Sequence, residues 1–308
     1  MSGKEKGVLI VIGGPTGSGK TGVAINMARQ LNTVIISADS RQIYRELKIG
    51  TAAPTQNEEK QAKHYLTGHK SIHDYYNASI FEKEALSLLE ELFRRHRVVL
   101  AAGGSGLYID ALCRGIDEMP DIDPQLRENL IKEYREKGIE HLQNKLKKVD
   151  PDHYRKADLN NPKRLLRAIE VSVMTGTPYS QHLTGQCKKR DFKIVKTAIT
   201  LPREELYSRI NQRTDRMIEK GLVDEARKYY RFRHLNALNT VGYKELFSYF
   251  DGDIDFQEAV RLIKRNTRRY ARRQITWFKK DNDIKWFSAD DDGAILSYIE
   301  SVAKNHNG

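Results

Sequence analysis

The chain has 308 residues, 39% of them hydrophobic and 31% charged, with 53 Lys and Arg against 41 Asp and Glu for a formal net charge of +12. That length suits one large domain or a core domain carrying an insertion, and the basic surplus points to polyanionic partners, nucleic acid ahead of an anionic membrane surface. The two cysteines, Cys113 and Cys187, lie in no C-x-x-C pair, which argues against a zinc knuckle or a disulfide framework, and no apolar run approaches the ~18 residues of a membrane span. A reducing cytoplasm is the expected setting, since residues 1–6 lead toward the first strand without the pattern of a signal peptide.

The first element is the apolar run VLIVI at residues 8–12, a strand. Gly14-Pro15-Thr16-Gly17-Ser18-Gly19-Lys20-Thr21 follows it, a full G-x-x-x-x-G-K-[ST] phosphate loop. A strand feeding a glycine-rich turn that opens a helix lets backbone N–H groups, the helix dipole and Lys20 converge on phosphate oxygens, with the Thr21 hydroxyl left for Mg2+. The motif specifies a di- or triphosphate; it does not specify ATP.

The second strand is TVIIS at 33–37, followed by Ala38-Asp39-Ser40-Arg41-Gln42. Residues just past the carboxyl end of a strand in an α/β sheet sit over the ligand crevice, which puts Asp39 above the phosphate loop. A carboxylate there is placed to bind magnesium or to take a proton; an Asx-turn or helix cap is the structural alternative. Ser79-Ile80-Phe81-Glu82 reads as a capping box opening a helix with Phe81, Ala85, Leu88, Leu89 and Leu92 on its apolar face. The third strand, RVVLA at 97–101, runs into Gly103-Gly104-Ser105-Gly106. A phosphate-loop ATPase often carries an acid at the end of such a strand to hold the magnesium of its nucleotide. None follows here, and the glycines with a hydroxyl suit close approach by a flat or apolar group.

From residue 112 to 192 the strand signal stops and three amphipathic helical patterns replace it: Leu126, Leu130 and Tyr134; Ile139, Leu142 and Leu146; and Leu165, Leu166, Ile169 and Val173. The last has Asn161 as N-cap, Pro162 at its first position and Gly176 at its end, with Lys163, Arg164 and Arg167 on one face. Strand signals resume at 196–201 and again at 284–287, an edge strand. The expected fold is α/β: a doubly wound parallel sheet of the P-loop NTPase type, from 1–111 and 193–308, with an all-helical insertion at 112–192. After Leu201, Arg209, Arg213, Arg216 and Lys220 make one helical stripe, from which an arginine could clamp a bound diphosphate. Residues 260–280 hold nine cations, Arg268 and Arg272 among them, with no acid between Glu258 and Asp281 to pair them locally. This reads as a phosphate-contacting helix whose Phe256, Val260, Ile263, Ala271 and Phe278 form its core face.

Taken in order, GPTGSGKT, SADSRQIY, IGTAAP at 49–54, GGSGLY at 103–108, NPKRLLRAIEV at 161–171 and TVGYKE at 240–245 resemble the motifs of tRNA dimethylallyltransferases, also called tRNA isopentenyltransferases. The resemblance runs from about Val8 to Phe287. Ser105 stands where that family usually has threonine, and the zinc-finger extension of eukaryotic members is missing, so a bacterial type is expected. The resemblance implies transfer of a dimethylallyl group from dimethylallyl diphosphate to the N6 amine of the adenosine immediately 3′ of the anticodon. On the same basis the phosphate loop holds the diphosphate, Arg213 binds it, Asp39 accepts the N6 proton, and Thr16 and Ser105 lie near the acceptor and the isoprenoid. Asp39, Ser40, Arg41 and Gln42, together with Lys163, Arg164, Leu165, Leu166 and Arg167, match tRNA-contacting segments, and Ser105 and Arg127 match single contacts. Mg2+ is the implied cofactor, the anticodon stem-loop of tRNA the implied partner, and a monomer is expected. Two enzymatic alternatives share the loop, a nucleotide or small-molecule kinase and prenyl transfer to free AMP. A non-enzymatic RNA-binding module leaves Lys20, Thr21 and Asp39 without work.

Overall fold

The VLIVIG strand β1 (Val8–Gly13) is buried along its whole length, as a parallel strand covered by helices on both faces must be. The chain is described here by a computed structural model covering residues 7–121 and 123–304; residues 1–6, expected to lead into the first strand, lie outside the described residues. Two compact units are present, one running to Arg114 and resuming at Lys189, the other from Gly115 to Lys188.

The first unit is built on a six-stranded parallel sheet in the order β3-β2-β4-β1-β5-β6, where β2 is Ile35–Ser37, β3 His64–Tyr65, β4 Val98–Ala102, β5 Lys193–Thr200 and β6 Lys285–Ser288. The loop strand β1 is central, with Ile12 in register with Ala102 of β4 on one side and Thr197 of β5 on the other. Its helices are α1 (Lys20–Gln30), α2 (Gln56–Gln61), α3 (Ala78–Leu92) and α4 (Gly106–Arg114) before the insertion. Val8, Ile10 and Ile12 pack with Ala24, Met27 and Ala28 of α1 and with Leu100 and Ile199, each fully buried Leu or Ile contributing about 1.5–3 kcal/mol. The two-residue β3 carries too short a pattern to read in sequence. The expected capping box at Ser79 is not the one used: Asn77 caps α3 by accepting the Ile80 N–H. Glu82 is instead buried and paired with Arg190 at 2.8 Å.

The second unit contains α5 (Pro124–Val149), α6 (Pro151–Lys156), α7 (Pro162–Thr175) and α8 (Tyr179–His182). Gly138 breaks α5 into the two expected helical stretches by adopting a left-handed φ of 76°. Asn161, Pro162 and Gly176 bound α7 as its punctuation predicts, Asn161 accepting the Arg164 N–H and Gly176 ending the helix at φ 68°. Leu130, Leu142, Leu146, Leu165 and Ile169 form the core. Glu170 is wholly buried, and Arg127 satisfies it with two bonds of 2.6 and 2.9 Å. Removing one partner of such a pair strands the other charge. Arg127→Met therefore lowers the stability of this unit by about 3 kcal/mol, and Arg127→Met with Glu170→Leu recovers part of the loss, as read by urea unfolding.

In the resumed first unit follow α9 (Arg203–Glu219), α10 (Leu222–Tyr229), α11 (Tyr243–Phe250), the long α12 (Phe256–Phe278) and α13 (Asp292–Lys304). No described helix is long and apolar enough to cross a membrane.

Candidate active site

Three strand ends meet at the site: β1 delivers the phosphate loop, β2 delivers Asp39 and β4 delivers residues 103–106. Gly19 takes a left-handed φ of 89° and turns the loop into α1, so the helix N-terminus faces the space where phosphate oxygens bind. Lys20 folds back to donate to the Pro15 carbonyl at 3.3 Å. Burial lowers its pKa to about 8, against the raising influence of Asp39 and with help from Arg213. Those two groups are therefore within electrostatic reach of the loop lysine. The Ser18 hydroxyl is fully buried inside the loop and has no hydrogen-bond partner.

Asp39 makes the foreseen Asx-turn and also lines the cavity. Its Oδ1 accepts the Arg41 N–H at 2.9 Å and the Gln42 N–H at 3.4 Å, an Asx-turn. Its carboxylate also lines the same cavity as Lys20 and Arg213. Ser105 holds this turn from behind: its Oγ accepts the Ser40 N–H at 2.9 Å and donates to the Ser40 hydroxyl at 3.1 Å. Arg41 donates to the carbonyls of Asn236 and Ala237, and Gln42 donates through Nε2 to Ala52 at 2.9 Å while accepting from Ser37. Arg41 and Gln42 thus serve the architecture of the first unit.

The glycines after β4 make room for the protein itself, and the flat group that approaches Gly106 is the ring of Trp277. A Cβ at Gly103 would fall 2.1 Å from the Ala38 carbonyl oxygen, one at Gly104 2.3 Å from the Gln274 amide, and one at Gly106 2.3 Å from the Trp277 ring. Gln274, on α12 and 6% exposed, bridges the loops: its Oε1 accepts the Thr16 N–H at 2.9 Å and its Nε2 donates to the Gly104 carbonyl at 2.7 Å. One turn earlier, Tyr270 hydrogen-bonds Ser105, and burial with the nearby Asp39 charge pushes its pKa up to about 12. Sequence reasoning missed both residues. Their i,i+4 spacing, with both chains turned toward the same wall as Ile263 and Ala271, is the signal that was available.

The stripe on α9 splits. Arg213, Arg216 and Lys220 line the cavity, whereas Arg209 pairs with Glu205 at 2.7 Å. Arg213 is the member that interacts with Asp39 and Lys20. The cations of α12 are less free than their sequence suggested: Arg261 pairs with Glu258, Lys264 with Asp215 at 2.6 Å, and Arg268 donates to Asn211 at 2.6 Å. Arg272 remains exposed, and Phe256, expected in the core, is 36% exposed.

The cavity has a volume of about 1490 Å³, above the usual 300–1,000 Å³ of a small-molecule pocket. Thr16, Lys20, Thr21, Asp39, Ser40, Arg41, Gln42 and Arg213 line it, and so do residues 49–55. Gly14, Pro15, Gly17, Ser18 and Gly19 shape the loop beneath. In the helical unit, Lys163 and Arg164 are exposed, and Arg167 donates to the Pro120 carbonyl. Leu165 and Leu166 are 0% and 8% exposed in the core of that unit, where their side chains support the segment from within.

Residues 42–281 match the model of the IPP transferase family. The chain belongs to that family. It is 50% identical over 298 residues to tRNA dimethylallyltransferase 1 of Bacteroides thetaiotaomicron, with 97% of each chain covered. Against tRNA dimethylallyltransferase 2 of Azobacteroides pseudotrichonymphae the identity is 54% over 279 residues, covering 91% of each. Among the family's solved structures, the tRNA isopentenylpyrophosphate transferase of Bacillus halodurans is similar with a TM-score of 0.72 at 34% identity over 97% of both chains. A eukaryotic dimethylallyltransferase solved acting on tRNA has a TM-score of 0.75 at 25% identity, covering 92% of this chain and 74% of that one. The parallel sheet and phosphate loop are those expected of a P-loop NTPase-like member of bacterial type.

Proposed function

We propose that this protein transfers the dimethylallyl group of dimethylallyl diphosphate to the N6 amine of the adenosine immediately 3′ of the anticodon in tRNA, releasing diphosphate. The observation that carries this reading is one cavity holding Lys20, Thr21 and Arg213 beside Asp39, with alanine and glycine where β4 of an ATPase would end in an acid. In the reaction the allylic carbon–oxygen bond breaks, its electron pair leaves on the diphosphate, and a bond forms between that carbon and N6. Lys20 and Arg213 stabilise the charge that develops on the leaving oxygens. Asp39 takes the N6 proton, so that the weakly nucleophilic aryl amine does not become cationic as it attacks.

Magnesium suits this donor set. Among the described residues no three His, Cys, Asp or Glu side chains come together as a metal cage, and Mg2+ commonly takes one or two protein oxygens and completes its shell with waters and substrate phosphates. The Thr21 hydroxyl would hold it, and the ion would supply further neutralisation of the diphosphate.

The acceptor base must leave its stack to enter the cavity. The formal net charge of +12 supports an RNA acceptor over free AMP, and the reading takes a monomer acting in the cytoplasm as the working unit. Lys163 and Arg164 on the helical unit and Arg268 and Arg272 on α12 contact the RNA backbone. Arg272→Ala reduces the log–log salt slope of tRNA binding by about one unit, and Arg261→Ala, already paired with Glu258, leaves it unchanged. The reading itself is tested by offering labelled dimethylallyl diphosphate with an anticodon stem-loop and AMP in competition. Label enters the stem-loop; label found only in AMP would assign the protein to the free-nucleotide reaction.

A further inference from the structure

Residues 49–54, which line the cavity together with Thr16, Lys20 and Thr21 of the phosphate loop, are held by a carboxylate that lies 175 residues after Gly50 in sequence. Glu225, in the first turn of α10, accepts the N–H of Lys48 at 2.9 Å, of Ile49 at 2.9 and 3.2 Å, and of Gly50 at 2.9 Å. It also accepts the Tyr243 hydroxyl at 2.6 Å, and Tyr243 is wholly buried at the start of α11. Three successive amide N–H groups turned to one point make the concavity that ordinarily receives an anion; here the protein fills it with its own carboxylate. Gly50 is required by the same arrangement, since a Cβ there would lie 2.6 Å from the Tyr243 ring.

The other edge of this wall is tied to the catalytic turn. Gln42 donates to the carbonyls of Thr51 and Ala52, and the Gln42 N–H is one of the two that Asp39 accepts. A continuous set of hydrogen bonds thus runs from Tyr243 through Glu225, the 48–52 backbone and Gln42 to Asp39. We infer that Glu225, with Tyr243, is a positioning residue for the transfer reaction: it sets the cavity wall and, through Gln42, the orientation of the Asp39 carboxylate. This rests on the proposed role of Asp39 and accounts for two sequence motifs, IGTAAP and TVGYKE, as the two halves of one latch.

Glu225→Gln keeps the shape and removes the charge and one acceptor oxygen. Misplacing a reacting group by about 1 Å costs on the order of 10²-fold in rate, so kcat for the anticodon stem-loop falls about 10- to 100-fold while KM for both substrates stays within about threefold. Hydrogen–deuterium exchange in a peptide spanning residues 39–54 accelerates in the same variant. A role in stability alone would lower Tm and leave kcat intact well below it. Unchanged kcat, or unchanged exchange, in the folded variant overturns the inference. Tyr243→Phe removes only the hydroxyl that Glu225 accepts; it shows a smaller loss in kcat and faster exchange at residues 48–50, and it decides the matter should Glu225→Gln fail to fold. If the unaltered protein transfers no prenyl group, the proposed function falls, and the exchange data still report whether Glu225 holds the wall.

Discussion

Asp39→Asn lowers prenyl transfer by about 10²–10⁴-fold, the usual contribution of a positioned acid–base group, and changes tRNA affinity by less than about threefold. The asparagine is the informative substitution because Asp39 has two occupations. Its Oδ1 closes the turn on Arg41 and Gln42, and an asparagine oxygen can still accept both N–H groups. Only the capacity to take the N6 proton is lost. Asp39→Ala removes the turn as well, which frees Gln42 and with it the 49–54 wall, so its tRNA affinity falls further than that of Asp39→Asn. Filter binding of an anticodon stem-loop beside single-turnover transfer separates the two. Near-normal transfer in Asp39→Asn beside a loss in Asp39→Ala would make Asp39 a turn residue only.

Lys20→Met abolishes tight binding of inorganic diphosphate and lowers transfer by about 10²–10³-fold, the scale of losing one preorganised charge-stabilising donor. The same substitution raises the thermal midpoint of the empty protein at pH 7. The sign follows from the depressed pKa of about 8. A lysine whose folded pKa lies below its ordinary value is disfavoured as a cation in the fold, so the empty protein carries a cost while Lys20 is charged. That cost fades as pH rises through about 8, and stability rises there with it. Diphosphate affinity moves the opposite way and weakens above about pH 8 as the cation is lost. Lys20→Arg, which stays protonated, flattens this limb, and titration calorimetry from pH 7 to 9 reads it. A fall in the midpoint of Lys20→Met would contradict the burial of an unfavourable charge, and an unchanged diphosphate affinity would remove Lys20 from the leaving-group site.

Local pattern carried much of the fold. The apolar run before GPTGSGKT, the punctuation of α7 by Asn161, Pro162 and Gly176, and the break in strand signal after Leu112 each depend on residues a few positions apart. Asp39 was legible because the end of a strand places its neighbours over the crevice. What was hidden depended on distant partners. Nothing near Gln274 in sequence shows that its amide bridges Thr16 and Gly104, and nothing near Glu225 shows three amides at residues 48–50 waiting for it. The same blindness produced the errors. Asn77 displaced Ser79 as cap because Glu82, the other half of the expected box, is held by Arg190, 108 positions away. The glycines after β4 showed that some group approaches closely, but the Ala38 carbonyl, Gln274 and Trp277 that do so cannot be seen from residues 103–106. Lys264 and Arg268 looked unpaired because Asp215 and Asn211 come from α9.

In the proposed reaction this phosphate loop holds a leaving group whose carbon–oxygen bond breaks. This is tested most directly by giving the protein, with Mg2+ and an anticodon stem-loop, either labelled dimethylallyl diphosphate or ATP labelled in its terminal phosphate, and following label into RNA and into free phosphate. The expected result is magnesium-dependent transfer of the prenyl label to the adenosine 3′ of the anticodon, and ATP turnover no greater than that of Lys20→Met. Phosphoryl transfer from ATP with no prenyl label in the RNA would contradict it.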